Sequence, residues 1–361
     1  MKRVLFLTKY TSQAASTRLR MIQYFPLLES QGITCTLSPL FESDYLKRKF
    51  AGRAGNIGEA LHSFPRRILA ILQASRWDAV VIQYDLLPYL PEFLELSLRV
   101  RRIPYIYDYD DAIFHYYDLH RSSIVRFLLG NKIRNVIKGA HAVLAGSPYL
   151  VDYARAVNRN VEWSPTCVDI ARFRPRVWDN SSNKPFTIGW IGAPSSVHLA
   201  AEAIPAIREL ARRIPVRLVY VGSGPVSYDG FHPEIRDWSE ATEVEEMLQF
   251  DVGIMPMPDE PWMRGKCAFK LIQYMACGLP VVASPVGMNL NVVTAGDNGF
   301  LASLPSQWVE ALETLASDVA LRRKMGAKGR LRVERDFTSA IGGAKLLDAV
   351  KMAIGRQSNT P

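Results

Sequence analysis

What the sequence lacks narrows its class before any motif is read. Only four of its 361 residues are cysteines (Cys35, Cys167, Cys267, Cys277), with no Cys-x-x-Cys pair and no histidine at zinc spacing. That excludes a disulfide scaffold and a zinc finger, and fits a reducing cytoplasm. No apolar run approaches the ~18 residues of a membrane span. The N-terminus begins Met1-Lys2-Arg3 in the manner of a signal peptide, but the apolar run stops after Leu7, well short of an h-region. The loop that follows, Tyr10–Arg20, contains no glycine. A nicotinamide or flavin fold needs a Gly-rich turn there so that the backbone can close on a pyrophosphate, which argues against an oxidoreductase. There is no short repeat and no low-complexity tract.

What is present is the composition of a folded enzyme, 48% hydrophobic and 22% charged with mean hydropathy near zero, which excludes a disordered or collagen-like chain. The length suggests two domains. The net charge of +9 is unevenly placed. Residues 1–175 hold 24 Lys and Arg against 15 Asp and Glu, and residues 176–361 hold 20 of each. The basic runs Lys47-Arg48-Lys49, Arg66-Arg67 and Arg99-Val100-Arg101-Arg102 read as solvated faces. Their shared location in the first half points to an anionic membrane face or acceptor, at the inner side of the membrane. Nucleic acid is not expected, because basic and aromatic residues do not interleave and no recognition helix is evident.

Short β-branched and aromatic runs alternate with helix-length segments along the chain. Strands are expected at Val4–Thr8, Ile33–Leu37, Ala79–Gln83, Tyr105–Tyr109 and Ala142–Ala145. An amphipathic helix is expected over Arg18–Ser30. After a Pro-rich and polar stretch, Val161–Pro185, the pattern restarts at Phe186–Ile191, Arg217–Val221, Val252–Met255 and Pro280–Ala283, and a last helical stretch runs over Ala340–Ile354. The reading is α/β, with two doubly wound parallel-sheet domains in series. Ligands of such sheets bind outside the carboxyl ends of the strands, so chemistry is expected in the strand-to-helix loops lining a cleft.

The strongest constellation runs from Arg264 to Ser284. It reads as a loop, a helix of about three turns, a glycine stop at Gly278 and a buried strand. Lys266, Lys270, Gln273 and Cys277 fall on one stripe of that helix, while Ala268, Leu271, Ile272 and Met275 make its other faces apolar. Two lysines beside the free N–H groups of a first helical turn suit a diphosphate, with Arg264 close by and Gln273 in reach of a sugar hydroxyl. A solvated surface face is the plainer alternative. In Ile188–His198, Gly192 lets the backbone approach a ligand, and Ser195 and Ser196 can cap the next helix and meet phosphate. Val221-Gly222-Ser223-Gly224 is followed by Pro225 and reads as a tight turn.

In the first half, Tyr107-Asp108-Tyr109-Asp110-Asp111 closes a strand. Two chemistries fit. One is a metal site of Asp-x-Asp type assisted by His115, Asp118 and His120; the other is a set of carboxylates facing a sugar. The second is preferred, with Asp110 just past the strand end and no metal expected. Ser16, Thr17, Arg18 and Arg20 can meet a donor or acceptor phosphate, or simply cap a helix.

Together these residues resemble glycosyltransferase family 4, the retaining, nucleotide-sugar-dependent enzymes of GT-B fold. The resemblance runs nearly end to end. It includes Cys167–Pro175, Gly189-Trp190-Ile191-Gly192, Lys270–Ser284, Gly296–Leu301 and Met325–Arg330. It implies an acceptor-binding domain over 1–168, a nucleotide-sugar domain over 185–339, and a C-terminal helix, 340–361, that returns to the first domain. The family's two glutamates, spaced seven residues apart, fall here on Gly265 and Gln273, and its histidine after the fourth strand falls on Asp110. Trp238 and Ser239 lie where the nucleobase is held. The implied donor set is Gly192, Ser195, Trp238, Ser239, Arg264, Lys266, Lys270 and Gln273. Asp110 and Lys270 are then the catalytic candidates, and Ser16, Thr17 and Arg18 the acceptor-binding ones. The implied activity is transfer of a sugar to a glycan or lipid-linked acceptor in cell-surface polysaccharide assembly, with no cofactor beyond the donor. A sugar-nucleotide 2-epimerase and a non-catalytic sugar-nucleotide binder are the alternatives.

Overall fold

The computed structural model describes residues 1–42, 45, 48, 57–178 and 184–357. Lys47 and Lys49 of the first basic run, and 179–183 of the Pro-rich stretch, lie outside the described residues. The chain forms two compact units. The first is Met1–Thr166 with Gly265–Cys267 and Ser339–Pro361; the second is Cys167–Arg264 with Ala268–Thr338.

The first unit is built on six parallel strands, β1 (Lys2–Thr8), β2 (Ile33–Pro39), β3 (Ala79–Gln83), β4 (Tyr105–Tyr109), β5 (Ala142–Ala145) and β6 (Val161–Trp163), in the order β2-β1-β3-β4-β5-β6. Val4-Leu5-Phe6-Leu7 and Val80-Val81-Ile82 are buried without alternation, as strands covered on both faces must be. β1 pairs with β2 on one side and β3 on the other. The strand order reverses there, so the carboxyl ends of β1 and β3 form the switch point. The last helix, Ser339–Gln357, closes one face by packing Leu346, Val350 and Ala353 with Val4, Phe6 and Val81.

The second unit repeats the plan with β7 (Phe186–Ile191), β8 (Val216–Val221), β9 (Glu234–Arg236), β10 (Val252–Met255), β11 (Val281–Ala283) and β12 (Gly299–Leu301), ordered β12-β11-β10-β7-β8-β9. Here the order reverses between β7 and β10. Its core joins Ile188, Trp190, Tyr220 and Ile254 to Ile207 and Leu210 of one helix and Trp308 and Leu312 of another.

Three expectations need correction. The stretch Arg18–Ser30 is broken into a helix, Ala15–Arg20, a 3-10 turn, Ile22–Tyr24, and a second helix, Phe25–Ser30. Pro26 lacks the N–H that a helix interior requires, so a new helix must start around it. The helix expected to carry Lys266 with Lys270 and Gln273 is shorter, Phe269–Ala276, because Ala268 before it takes the left-handed region at φ 52°; a separate short helix, Pro261–Arg264, precedes it. Finally, Arg67 is not a solvated cation. It is buried, and its Nη2 donates to the Thr8 carbonyl at 2.6 Å.

Candidate functional site

In the second unit Gly192, Trp238, Ser239, Lys270 and Gln273 of the sequence-predicted donor residues gather beyond the ends of β7 and β8. Gly192 leaves β7 with its N–H on the Val221 carbonyl. A Cβ at Gly192 would lie 2.6 Å from Lys270 Cε and 2.7 Å from the Trp190 ring, so only glycine fits. Lys270 stands in the first turn of Phe269–Ala276, with its ammonium 4.9 Å from the Trp190 ring centroid. That helix has no side-chain cap at its N-terminus, which leaves partial positive charge beside the lysine. It ends as the sequence suggested, with Gly278 at φ 67°, the Gly278 N–H on the Met275 carbonyl and the Leu279 N–H on the Tyr274 carbonyl. This is the Schellman arrangement.

Beside it lies a group centred on Glu243, a buried carboxylate. Its Oε2 accepts from Trp238 Nε1 at 2.9 Å and Gln273 Nε2 at 3.4 Å, and its Oε1 meets Arg172 Nη2 at 2.8 Å. Ser239 starts the turn that leads into the short helix Glu243–Met247, whose N-cap is Thr242. The Ser239 Oγ accepts from the Thr242 N–H at 3.1 Å and its carbonyl from the Glu243 N–H. Trp238 keeps 39% of its surface exposed, a flat apolar face on a pinned indole that suits a heterocycle. Gly222, at φ 77°, sets this group close to β7: a Cβ there would lie 2.8 Å from Trp238 Cβ and 2.9 Å from the Gly192 carbonyl.

The other donor candidates fall elsewhere. Ser195 is exposed within the 3-10 helix Pro194–Ala203, whose N-cap is Ala193, and the Ser196 hydroxyl donates back to the Ala193 carbonyl at 3.0 Å. Neither serine caps the helix. Arg264 is paired with Asp259 at 2.6 Å. Lys266 is not on the stripe with Lys270 and Gln273. It belongs to the Gly265–Cys267 segment of the first unit, where its ammonium meets Asp111 Oδ1 at 2.9 Å. Burial pulls this lysine's pKa down, but Asp111 and Asp110 outweigh it and hold the ammonium above its ordinary value.

In the first unit the three clustered carboxylates have separate roles. Asp108 is buried and holds Arg20 through two hydrogen bonds, 2.8 Å to Nε and 2.6 Å to Nη2, while Arg20 Nη1 donates to the Ser164 carbonyl at 3.0 Å. Arg20 is therefore a structural pair rather than a phosphate contact. Asp111 takes Lys266. Asp110 accepts the Tyr84 hydroxyl, and its carbonyl accepts the Cys267 thiol at 2.9 Å. Burial pushes the Asp110 carboxyl up to about 6, against the pull of Arg20 and with Asp111 adding to the rise. Ionised at neutral pH and basic for an aspartate, it suits proton acceptance from, or orientation of, a hydroxyl.

His115 bonds Asp118 at 2.8 Å and Tyr149 at 2.9 Å. Among the described residues, no three of His, Cys, Asp and Glu converge on a point that could hold a metal ion. Thr17 is fully buried, its hydroxyl on the Tyr10 carbonyl at 3.0 Å, and Arg18 donates to the Ser12 carbonyl at 3.3 Å. Ser16 is half-buried, with its carbonyl accepting Gln83 Nε2 at 3.1 Å.

Sequence reasoning missed Glu243 and Tyr84. Glu243 sits in an acidic run that reads as a solvated helix start. Tyr84 adopts φ 63°, a strained state for an aromatic residue, and nothing in a tyrosine after an apolar run announces it.

Two parallel six-stranded units of this kind define the GT-B class. Residues 185–318 match the family model of glycosyl transferases group 1. A D-inositol 3-phosphate glycosyltransferase of Paenarthrobacter aurescens is 33% identical over 96 residues, 26% of this chain and 20% of the relative. The match thus spans about a fifth of that relative's length. Among solved structures, sucrose-phosphate synthase of Thermosynechococcus elongatus superposes with a TM-score of 0.69 at 16% identity over 99% of both chains. Anabaena HepE in complex with UDP and glucose gives 0.65 at 15% identity, over 97% of this chain and 100% of that one. At these identities the two structures speak for the fold alone.

Proposed function

We propose that the protein is a retaining glycosyltransferase that moves a sugar from a nucleoside diphosphate donor to a glycan or lipid-linked acceptor in cell-surface polysaccharide assembly. The observation that carries this reading is the grouping in the second unit of an open backbone at Gly192, the Lys270 ammonium at an uncapped helix start, and Trp238, Gln273 and Glu243 beside them. Together these groups suit a diphosphate, a base and a ribose. The family match over the same segment and the UDP and glucose carried by HepE support it.

In the proposed reaction the bond from the sugar's anomeric carbon to the diphosphate oxygen breaks. The acceptor oxygen bonds to that carbon on the same face, and its proton passes to the leaving diphosphate. Lys270 and the helix dipole stabilise the charge that develops on the diphosphate. Asp110 orients the acceptor hydroxyl or contacts the donor sugar. No metal is assigned, and full activity in EDTA is expected.

Thermal shifts with UDP, GDP, ADP and CMP test the donor site. At least one diphosphate should raise the melting temperature, and Lys270→Ala should abolish most of that rise. If no nucleotide stabilises the protein, or if the variant responds like wild type, the donor assignment is wrong. Incubation with a nucleotide sugar and no acceptor then separates the alternatives. Conversion to the epimeric nucleotide sugar would make the protein an epimerase. Tight binding with no turnover across an acceptor panel would make it a binder.

A further inference from the structure

The first unit carries an apolar surface that the transfer reading does not use. On the helix Ser123–Leu129, Val125 and Leu129 turn inward, while Ile124, Phe127 and Leu128 are 68%, 89% and 63% exposed. Surface helices normally hide their i, i+3, i+4 apolar set. This helix presents it to solvent. Leu119 and Tyr116 are exposed just before it, and the short helix His115–Asp118 packs against it.

The same surface is cationic. From Leu119 to Val151 the sequence has no Asp or Glu, and Arg121, Arg126, Arg134 and Lys138 are exposed. Arg126 donates to the carbonyls of His120 and Arg121 and so pins the approach to the helix. The next helix, Lys132–Gly139, packs against Phe93–Val100. There Phe93, Leu96 and Val100 are exposed at i, i+3 and i+7, with Arg99, Arg101 and Arg102 beside them.

We propose that this face docks on an anionic lipid bilayer, with Ile124, Phe127 and Leu128 entering the interfacial region and the arginines resting on the headgroups. Aromatic and aliphatic side chains within an excess of cations, with the nearby acids Asp118 and Glu92 engaged by His115 and Asn135, match the chemistry of that interface. A protein partner would call for acidic or mixed charge opposite, and the apolar residues here stand out from a helix rather than line a groove. This surface takes in one of the basic runs noted in the sequence, Arg99–Arg102, and adds to it the apolar side chains that supply the anchor. The proposal stands apart from the transfer reading.

Co-sedimentation of the full chain with vesicles tests it without any sugar substrate. Binding is expected to vesicles of phosphatidylcholine and phosphatidylglycerol in a two-to-one ratio, and not to phosphatidylcholine alone. Phe127→Ser with Leu128→Ser should lower the vesicle partition about tenfold or more, with an unchanged melting temperature showing that the fold is intact. Arg121→Gln with Arg134→Gln should weaken binding about tenfold and blunt its sensitivity to salt. The proposal is overturned if wild type ignores anionic vesicles, or if the serine variant binds as well as wild type. It is equally overturned if wild type is a dimer that the serine variant dissolves, because the face would then be a contact between copies of the chain.

Discussion

The two units share a strand plan but make their tight turns by opposite means. In the second, the left-handed backbone positions fall on Gly222, Gly224, Gly230, Gly278, Gly287 and Gly296, with Ala268 the exception. Among the described residues of the first they fall on Tyr84, Tyr89 and Arg102, with Gly32 alone among glycines. A non-glycine residue pays roughly 1–2 kcal/mol to sit there, so side chains must hold it. Tyr84 is held by Asp110, and the Tyr89 N–H donates to the Tyr117 hydroxyl. Tyr117 in turn donates to Asp85 at 2.6 Å, and Asp85 faces Lys132 at 3.6 Å. Glycine turns leave bare backbone for a ligand to approach, whereas side-chain-held turns aim functional groups. The turns of the second unit leave room for the ligand proposed above, and those of the first hold a carboxylate in place.

If that contrast is right, the first unit depends most on its buried charges. Asp108→Asn keeps the shape but leaves the Arg20 guanidinium buried without its counter-ion, and the expected loss is about 3–5 kcal/mol. Urea denaturation reads this directly. A loss under about 1 kcal/mol would mean that the pair is not holding the strand ends. Replacing both partners with apolar residues should recover much of the loss, because the penalty lies in the orphaned charge.

The next effect concerns pH. Glu95 is buried, with Oε1 accepting the Leu86 N–H at 3.4 Å. Burial pushes its carboxyl up to about 7, against the pull of Lys132. A carboxyl raised on folding contributes stability that is intact below its unfolded pKa and is lost as pH rises through the folded one. Wild type should therefore weaken by about 3 kcal/mol between roughly pH 4.5 and 7.5. Glu95→Gln keeps an acceptor for Leu86 and should flatten this part of the curve. Parallel pH curves for the two proteins would contradict the assignment.

The contrast also explains what the sequence could reveal. Nine of the twelve strands among the described residues were legible, most of them because their apolar runs are buried on both faces, and the edge strand β2 through its β-branched Ile33, Thr34 and Thr36. The three that were not, β6, β9 and β12, are edge strands of three residues each, too short to show a period. The glycines of the second unit stand out in the sequence, and with them Gly192, the turn at Gly222 and the stop at Gly278. Lys266 was misplaced because an i, i+4 spacing assumes an unbroken helix, and left-handed Ala268 leaves no trace in the sequence. Tyr84 and Glu243 owe their roles to partners far along the chain, Asp110 in one case and Arg172 and Gln273 in the other. Long-range hydrogen bonds of this kind have no local signature.

Gly222→Ala probes the glycine side of the contrast. Its Cβ would enter a left-handed position and meet both Trp238 and the Gly192 carbonyl, at a cost of about 1–3 kcal/mol. A melting curve should show that loss, and the nucleotide-induced shift should shrink with it. If stability falls while the nucleotide response stays whole, the turn is structural only and does not shape the donor site.

Tyr84→Phe is the mildest change and the most specific one. It keeps the ring, its burial and the left-handed backbone, and removes only the hydroxyl that donates to Asp110. Losing one such bond costs about 1 kcal/mol, which alone would say little. The informative readout is the Asp110 carboxyl, because the tyrosine hydroxyl favours its ionised form. Without that donor the carboxyl should titrate above its value of about 6, and a carbon-13 label on aspartate would follow it by NMR whatever role Asp110 plays. Should Asp110 act in catalysis as proposed, the acid limb of the pH–rate profile moves up by the same amount. If the carboxyl titrates as in wild type, the strained turn at Tyr84 serves packing alone. The first unit's side-chain-held turns would then be a matter of stability, with no part in aiming chemistry.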